Sequence, residues 1–195
     1  MEEHPIRLRS SDDLKRSRLT VFFRLLLAIP HLIVLTLFAV LALLAGVANW
    51  FATLFMGRSP DGLHDLLARF MRYLTHFSAY FYLLADPFPP FGGGSPYRVD
   101  LEVETPERQN RWTVAFRMIL AIPASILASV LGYVAQALAF LGWFAALALG
   151  RMPEGMQNLG LYCLRYQMQT YGYVFLLTQR YPSLSSDPGA QPASA

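Results

Sequence analysis

Residues 24–57 read RLLLAIPHLIVLTLFAVLALLAGVANWFATLFMG, with no Asp, Glu or Lys and no Arg after the first position. A helix that spans a membrane needs about 20 consecutive apolar residues. A soluble helix of this length would have to present a polar face to water, and this stretch offers none. The stretch therefore predicts a helix that lies in a membrane.

The composition agrees with that prediction and excludes several other classes. The chain has 195 residues, is 54% hydrophobic and carries a net charge of +3. The excess positive charge flanks the apolar stretches, which favours contact with anionic lipid over nucleic acid. The single cysteine, Cys163, excludes an internal disulfide and any CxxC metal site. We expect membrane lipids as partners and no nucleic acid.

The chain contains the same unit twice. A shift of 93 positions aligns residues 18–91 with 111–184 without a gap. FFRLLLAIP (22–30) then meets AFRMILAIP (115–123), and WFATLFMGRSPDG (50–62) meets WFAALALGRMPEG (143–155). Because Arg, Pro, Trp and Gly fall in register, we interpret the match as a duplication. Two such units are expected to pack about a pseudo-two-fold axis.

Each unit is predicted to contain an interfacial lead-in helix, an apolar spanning helix, a Gly–Pro turn and a second long helix. In the first unit Pro30 should end the lead-in helix, and the span should run over 31–56. The second helix is expected over 61–85. Alternating residues at 5–10 and 97–104 predict two short strands, which could pair as a small sheet or lie on the membrane face.

These patterns predict an all-α membrane protein of two tandem helical hairpins, about four transmembrane helices in all, with a possible small cytoplasmic β element. Lys and Arg crowd the N-terminal segment and the linker, which predicts that both termini and the linker are cytoplasmic and that the turns face outward. With both strand-like segments on one side, each unit crosses the membrane an even number of times, so the repeats are predicted to be parallel. Alternatively, the second helix of each unit lies in the interface. The predicted divisions are a polar segment (1–18), repeat 1 (19–91), a linker with a strand-like segment (92–110), repeat 2 (111–184) and a disordered tail (185–195).

Polar residues on the predicted helices are the candidate binding residues. The second helix of the first unit carries one polar stripe, and the second unit carries its partner: Asp65, Arg69, Arg72 and His76; Asn158, Tyr162, Arg165 and Gln169. The stripes are either solvated faces or, at Arg72 and Arg165, a polar seam that holds an anionic headgroup or substrate. Arg18 and Arg24 bracket the first lead-in helix, and Arg111 and Arg117 are their repeat partners. Of these, Arg24 and Arg117 are predicted to reach out to lipid phosphates.

The repeated motifs resemble a bacterial membrane family of unknown function, DUF4389. The residues that carry the resemblance are Arg24–Pro30, Gly57–Gly62, Arg72–Tyr73 and Asp86–Phe91, and then Arg117–Pro123, Gly150–Gly155 and Arg165–Tyr166. The second ending departs from the pattern, since QRYPSL (179–184) lacks the acid and the double proline. The resemblance implies an integral protein of the bacterial inner membrane and no particular activity.

No catalytic motif stands out. The sequence has no HExxH, no GxSxG and no phosphate loop, so we expect no metal, no cofactor and no catalytic residue. The leading hypothesis is a non-enzymatic scaffold or accessory subunit that associates with itself or with another membrane complex through small residues such as Ala42, Ala45 and Gly46. The alternatives are an oligomeric transporter-like or channel-like conduit, or an anionic-lipid-binding protein. A lipid-modifying enzyme that uses His64, Asp65 and His76 is the weakest alternative.

Overall fold

The structure is a computed structural model that describes residues 4–185. Its helices and strands, in chain order, are β1 (Ile6–Ser10), α1 (Arg18–Met56), α2 (Asp61–Phe81), a short 3-10 turn (Phe91–Gly93), β2 (Val99–Val103), α3 (Arg111–Ala115), α4 (Arg117–Leu120), α5 (Ile122–Leu149) and α6 (Glu154–Val174). Within this part of the chain two helices, α1 and α5, are long and apolar enough to cross a membrane, rather than the four predicted. The predicted tail lies outside the described residues apart from Ser185.

The two predicted strands pair as one small sheet, the first of the two alternatives left open by the sequence. β1 pairs with β2 in antiparallel register, with Ile6 opposite Val103 and Leu8 opposite Leu101. Ile6, Leu8 and Leu101 are buried, whereas Arg9 is exposed. The sheet therefore has one apolar face on the core and a charged outer side.

A pseudo-two-fold axis relates the two repeats. Leu8 and Leu101 are equivalent under the shift of 93 positions and also pair with each other, so the axis passes through this pair. The helices obey the same symmetry. Trp50 Nε1 donates to the Val114 carbonyl at 2.9 Å, and the equivalent Trp143 donates to the Val21 carbonyl at 3.1 Å. The end of α1 thus lies beside α3, which leads into α5, and the end of α5 lies beside the start of α1, so α1 and α5 run antiparallel.

This arrangement corrects the predicted topology. The backbone N–H of Gln109, in the linker, donates to the Gly57 carbonyl in the first turn at 2.9 Å. The equivalent N–H of Arg16 donates to the Gly150 carbonyl in the second turn at 2.9 Å. The turns therefore lie against the linker and the N-terminal segment, and the prediction that the turns face the side opposite these segments is wrong. The antiparallel pairing of the strands that precede the repeats agrees with a two-fold axis perpendicular to the long helices.

The helix boundaries follow local sequence, with one exception. Gly57 and Gly150 end α1 and α5 in the left-handed region, at φ 75° and 69°. Pro30, however, does not end a helix, because α1 runs through it to Met56. In the second repeat the chain breaks into α3, α4 and α5, and Pro123 stands in the first turn of α5, where its missing N–H has no helical partner to lose.

The helices pack in a fixed order from the sheet outward. The sheet packs on α2 and α6, and these two central helices pack in turn on α1 and α5. α1 buries a single stripe, which consists of Val21, Arg24, Ala28, His31, Ala42, Ala45, Asn49 and Thr53. Ala42 and Ala45, which the scaffold hypothesis uses for association, are buried inside the fold, and so is Ala135 on α5. Small residues let the helix backbones of one chain approach closely here.

Candidate functional site

Two arginines related by the duplication, Arg24 and Arg117, lie in the protein interior. Arg24 is 3% exposed and Arg117 is 0% exposed. A buried charge is expensive unless it is hydrogen-bonded and paired. The prediction that these side chains reach lipid phosphates does not match their position, because both are directed into the fold.

Arg24 binds the chain just after α2. Its Nη1 donates to the carbonyls of Tyr80 (2.5 Å) and Ala85 (3.1 Å), and its Nη2 donates to Asp86 Oδ1 at 2.9 Å. The guanidinium carbon lies 4.3 Å from the centre of the Tyr80 ring. These contacts hold the turn that contains Leu83, a non-glycine residue at φ 62°.

Arg117 does the same after α6. Its Nη1 donates to the Thr178 carbonyl at 3.3 Å, and its Nη2 donates to Gln109 Oε1 at 2.5 Å. Its guanidinium carbon lies 4.0 Å from the centre of the Tyr173 ring. Leu176, in the turn below, again has φ 62°. Each arginine thus binds the end of the central helix of its own repeat.

Arg72 and His76 on α2 meet a carboxylate of β2 that sequence reasoning missed. Arg72 binds Asp100 with two N–H groups, Nε at 2.6 Å from Oδ1 and Nη2 to Oδ2. His76 Nε2 lies 2.8 Å from Asp100 Oδ1. Partial burial alone would raise the pKa of Asp100, but the hydrogen bonds from Arg72 and His76 outweigh burial and hold the pKa well below its ordinary value.

Removal of the Asp100 carboxylate is expected to destabilise the fold and to change its response to acid. We expect Asp100→Asn to lower the free energy of unfolding at pH 7 by about 2 kcal/mol, because charge-assisted hydrogen bonds to Arg72 and His76 are lost. A depressed pKa stabilises the fold above the unfolded value of about 4, and this contribution is lost as the pH falls below it. The wild type should therefore lose more stability than Asp100→Asn between pH 5 and pH 3.

Thermal and denaturant unfolding in detergent, followed by circular dichroism, measures both effects. Glu104→Gln is the control, since Glu104 is half exposed on the same sheet and, among the described residues, pairs only with Arg7, at 3.5 Å. If Asp100→Asn unfolds like Glu104→Gln at both pH values, the assigned role of Asp100 is wrong.

The other polar-stripe residues do not assemble into one site. Asp65, Arg69 and Asn158 are exposed, and no ion pair joins Asp65 to Arg69 within residues 4–185. Arg165 is buried, donates to the Ser185 carbonyl at 2.6 Å and lies over the Tyr162 ring at 5.3 Å.

Gln169, also buried, donates to the Ile6 carbonyl at 3.3 Å and accepts from Ser183 N at 3.1 Å. Arg72 is thus bound by the linker, and Arg165 by the segment that follows α6. Both are held by their own chain.

The histidines are equally dispersed. His64 and His76 are twelve residues apart on α2, which separates them by about 18 Å along the helix at 1.5 Å per residue. His31 is fully buried, with Nδ1 2.7 Å from the Tyr73 hydroxyl and its ring 4.3 Å from the centre of Phe91. Among the described residues no group of three His, Cys, Asp or Glu side chains is placed to hold a metal ion.

Two clusters of exposed cations, which sequence reasoning did not single out, lie at the two ends of the α1–α5 pair. Lys15 and Arg151 are opposite each other in an antiparallel bridge, as are Arg108 and Arg58. The first end cluster consists of Lys15, Arg18 and Arg151, and its symmetry mate, the second end cluster, of Arg108, Arg111 and Arg58. The repeat alignment could have indicated these clusters, because each member of one cluster is aligned with a member of the other. The members of one cluster come from both repeats, however, and only the antiparallel packing brings them together.

Comparison with known proteins identifies the repeated unit. A family model described as "Domain of unknown function (DUF4389)" matches residues 18–92 and again residues 111–185. These ranges coincide with the two repeats that the antiparallel helices and the pseudo-two-fold axis define. No curated protein and no solved structure matches the chain.

Proposed function

Since this chain belongs to the DUF4389 family, in two tandem copies, we propose that it is a non-enzymatic scaffold or accessory subunit embedded in the bacterial inner membrane. The observation that supports the membrane part is the inverted polarity of α1. Its polar residues Arg24, His31 and Asn49 lie on the buried stripe, beside mostly small apolar residues, and most of its large apolar residues face outward. A helix on the surface of a water-soluble protein has the opposite arrangement.

The outward surface of α1 is apolar along its length. Leu25, Leu37 and Phe55 are each about 70% exposed. α5 repeats the pattern, because its buried stripe consists of small residues while Ile126, Tyr133 and Phe140 are exposed. An exposed apolar surface on this scale is typical of contact with lipid or with another protein.

The internal use of the polar residues favours a scaffold over two of the other candidates, the conduit and the lipid-modifying enzyme. A conduit would need Arg72 and Arg165 to line a path, yet both are bound within the chain. A lipid-modifying enzyme would need His64, Asp65 and His76 together, and His76 is bound to Asp100. Neither alternative gains support from the geometry.

Photocrosslinking in native membranes tests the proposal. A benzophenone side chain placed at Leu37, at Phe140 or at Arg9 samples α1, α5 and the sheet. We expect lipid adducts at Leu37 and Phe140, and a protein adduct, to a second copy or to one recurrent partner, at one or more of the three positions.

Two negative results would count against the proposal in different ways. The absence of lipid adducts at both helix positions would contradict the membrane assignment. Monomer alone at all three positions, with lipid adducts present, would contradict the scaffold role and leave the membrane assignment standing.

A further inference from the structure

We propose that α1 and α5 lie in the plane of a single membrane leaflet, and that the two end clusters bind the phosphates of anionic lipids in that leaflet. This inference rests on the proposed membrane function and adds to it the orientation and the lipid class. It follows from the position of the sheet relative to the pseudo-two-fold axis, and from the charges at the two ends of the α1–α5 pair.

The sheet excludes a crossing orientation. Because the axis passes through Leu8 and Leu101, the sheet lies half-way along the antiparallel α1–α5 pair. If α1 and α5 crossed the bilayer, that level would be the bilayer centre. The sheet exposes Arg9, bound to Glu102 at 2.8 Å, and also Glu104. Charged side chains at the bilayer centre are strongly disfavoured.

An in-plane orientation satisfies all of these groups together. A two-fold axis that relates two antiparallel helices lies perpendicular to them, so an axis along the membrane normal places α1 and α5 flat at equal depth. The sheet packs on α2 and α6, and these two helices pack on α1 and α5. With α1 and α5 in the membrane, the charged sheet would then lie in water. Helices that lie in the interface bury an apolar face about 5–10 Å deep.

The end clusters match the headgroup level of such an orientation. Arg18 opens α1 and is followed by the exposed Leu19, whereas Arg111 opens α3 and is followed by Trp112, which is 75% exposed. Cations beside exposed apolar and aromatic residues are typical of the membrane interface. The same symmetry that relates the clusters would hold both at one depth.

Within residues 4–185, most cations of the end clusters have no acidic side chain as a partner. Arg58 pairs with Asp61 at 3.0 Å. In the part of the chain that the structure describes, none of the other five cations has an ion-pair partner: Lys15, Arg18, Arg108, Arg111 and Arg151. The backbone bridges hold Lys15 next to Arg151 and Arg58 next to Arg108, an arrangement that a shared anion would stabilise. Lipid phosphates supply that anion where the apolar helices enter the leaflet.

Cysteine accessibility tests the orientation. Gly62→Cys and Gly155→Cys, each in a Cys163→Ala background, are matched positions, since they are equivalent by the duplication and a side chain at either one meets no atom within 4 Å. With an impermeant maleimide and vesicles of known sidedness, both variants should be labelled from the same side, together with Glu104→Cys on the sheet. Labelling of Gly62→Cys and Gly155→Cys from opposite sides, with Glu104→Cys protected, would show crossing helices and overturn the inference while the membrane function stands.

Lipid selection tests the clusters. We expect purified wild type to retain phosphatidylglycerol over phosphatidylcholine, and each cation near an anionic surface contributes about fivefold. The triple variants K15Q/R18Q/R151Q and R58Q/R108Q/R111Q should each lose the part of this enrichment that one cluster provides, whereas the control R9Q/R98Q on and beside the sheet should keep all of it. Equal retention by all variants would overturn the lipid assignment. If the protein did not associate with membranes at all, the proposed function would be overturned.

Discussion

Replacement of Arg117 by alanine is expected to lower the free energy of unfolding by about 3–5 kcal/mol, the range for removing one partner from a buried charged contact. The loss leaves the Thr178 carbonyl and the Gln109 side chain without their donor and removes the cation from the Tyr173 ring. It also releases the turn that holds Leu176 at φ 62°. Arg24→Ala should behave alike, since it removes the ion-pair partner of Asp86 and a donor from the carbonyls of Tyr80 and Ala85.

Arg111→Ala is the matched control for this prediction. Arg111 is an arginine six positions earlier in the same lead-in region but is exposed, so its removal should change stability by less than about 0.5 kcal/mol. Thermal unfolding in detergent compares the variants. If both arginines anchored lipid phosphates instead, Arg117→Ala and Arg111→Ala would unfold alike in detergent and differ only in lipid.

The features predicted correctly from sequence are those that depend on neighbouring residues. The Gly–Pro turns at Gly57 and Gly150 and the alternation that forms β1 and β2 were visible in single stretches of the chain, and the duplication was visible when two stretches were aligned. The apolar nature of α1 and α5 was visible for the same reason.

The features missed depend on which distant segments meet. An arginine flanked by apolar residues looks the same whether it reaches a phosphate or a buried carbonyl, and only the turn after α2 decides the case for Arg24. Likewise the spacing of Arg72 and His76 on α2 did not indicate a contact with Asp100, which lies on β2, 24 residues after His76. The antiparallel arrangement of α1 and α5 goes with the way in which β1 pairs with β2, and periodicity alone does not specify that pairing.

Gly93→Ala is expected to lower the free energy of unfolding by about 3 kcal/mol. Gly93 has φ 67°, where a side chain costs about 1–2 kcal/mol. A Cβ there would also lie 2.6 Å from the Arg69 carbonyl oxygen and 2.8 Å from Tyr73 N, and helix backbone atoms cannot rotate away. The linker therefore packs directly on the backbone of α2.

The two adjacent glycines separate the causes of that loss. Gly92 also has a positive φ, of 76°, but a Cβ there meets nothing within 4 Å, so Gly92→Ala should cost only about 1 kcal/mol. Gly94 has φ −83° and open space, so Gly94→Ala should be neutral or stabilise by about 0.5 kcal/mol.

Unfolding midpoints in detergent should rank Gly94→Ala above Gly92→Ala and Gly92→Ala above Gly93→Ala. Equal effects at Gly92 and Gly93 would mean that the linker does not contact α2. That outcome would expose a face of α2 and make the crossing hairpin tenable again. The ranked outcome would instead show that the linker covers this face of α2. A face covered by the linker cannot contact lipid.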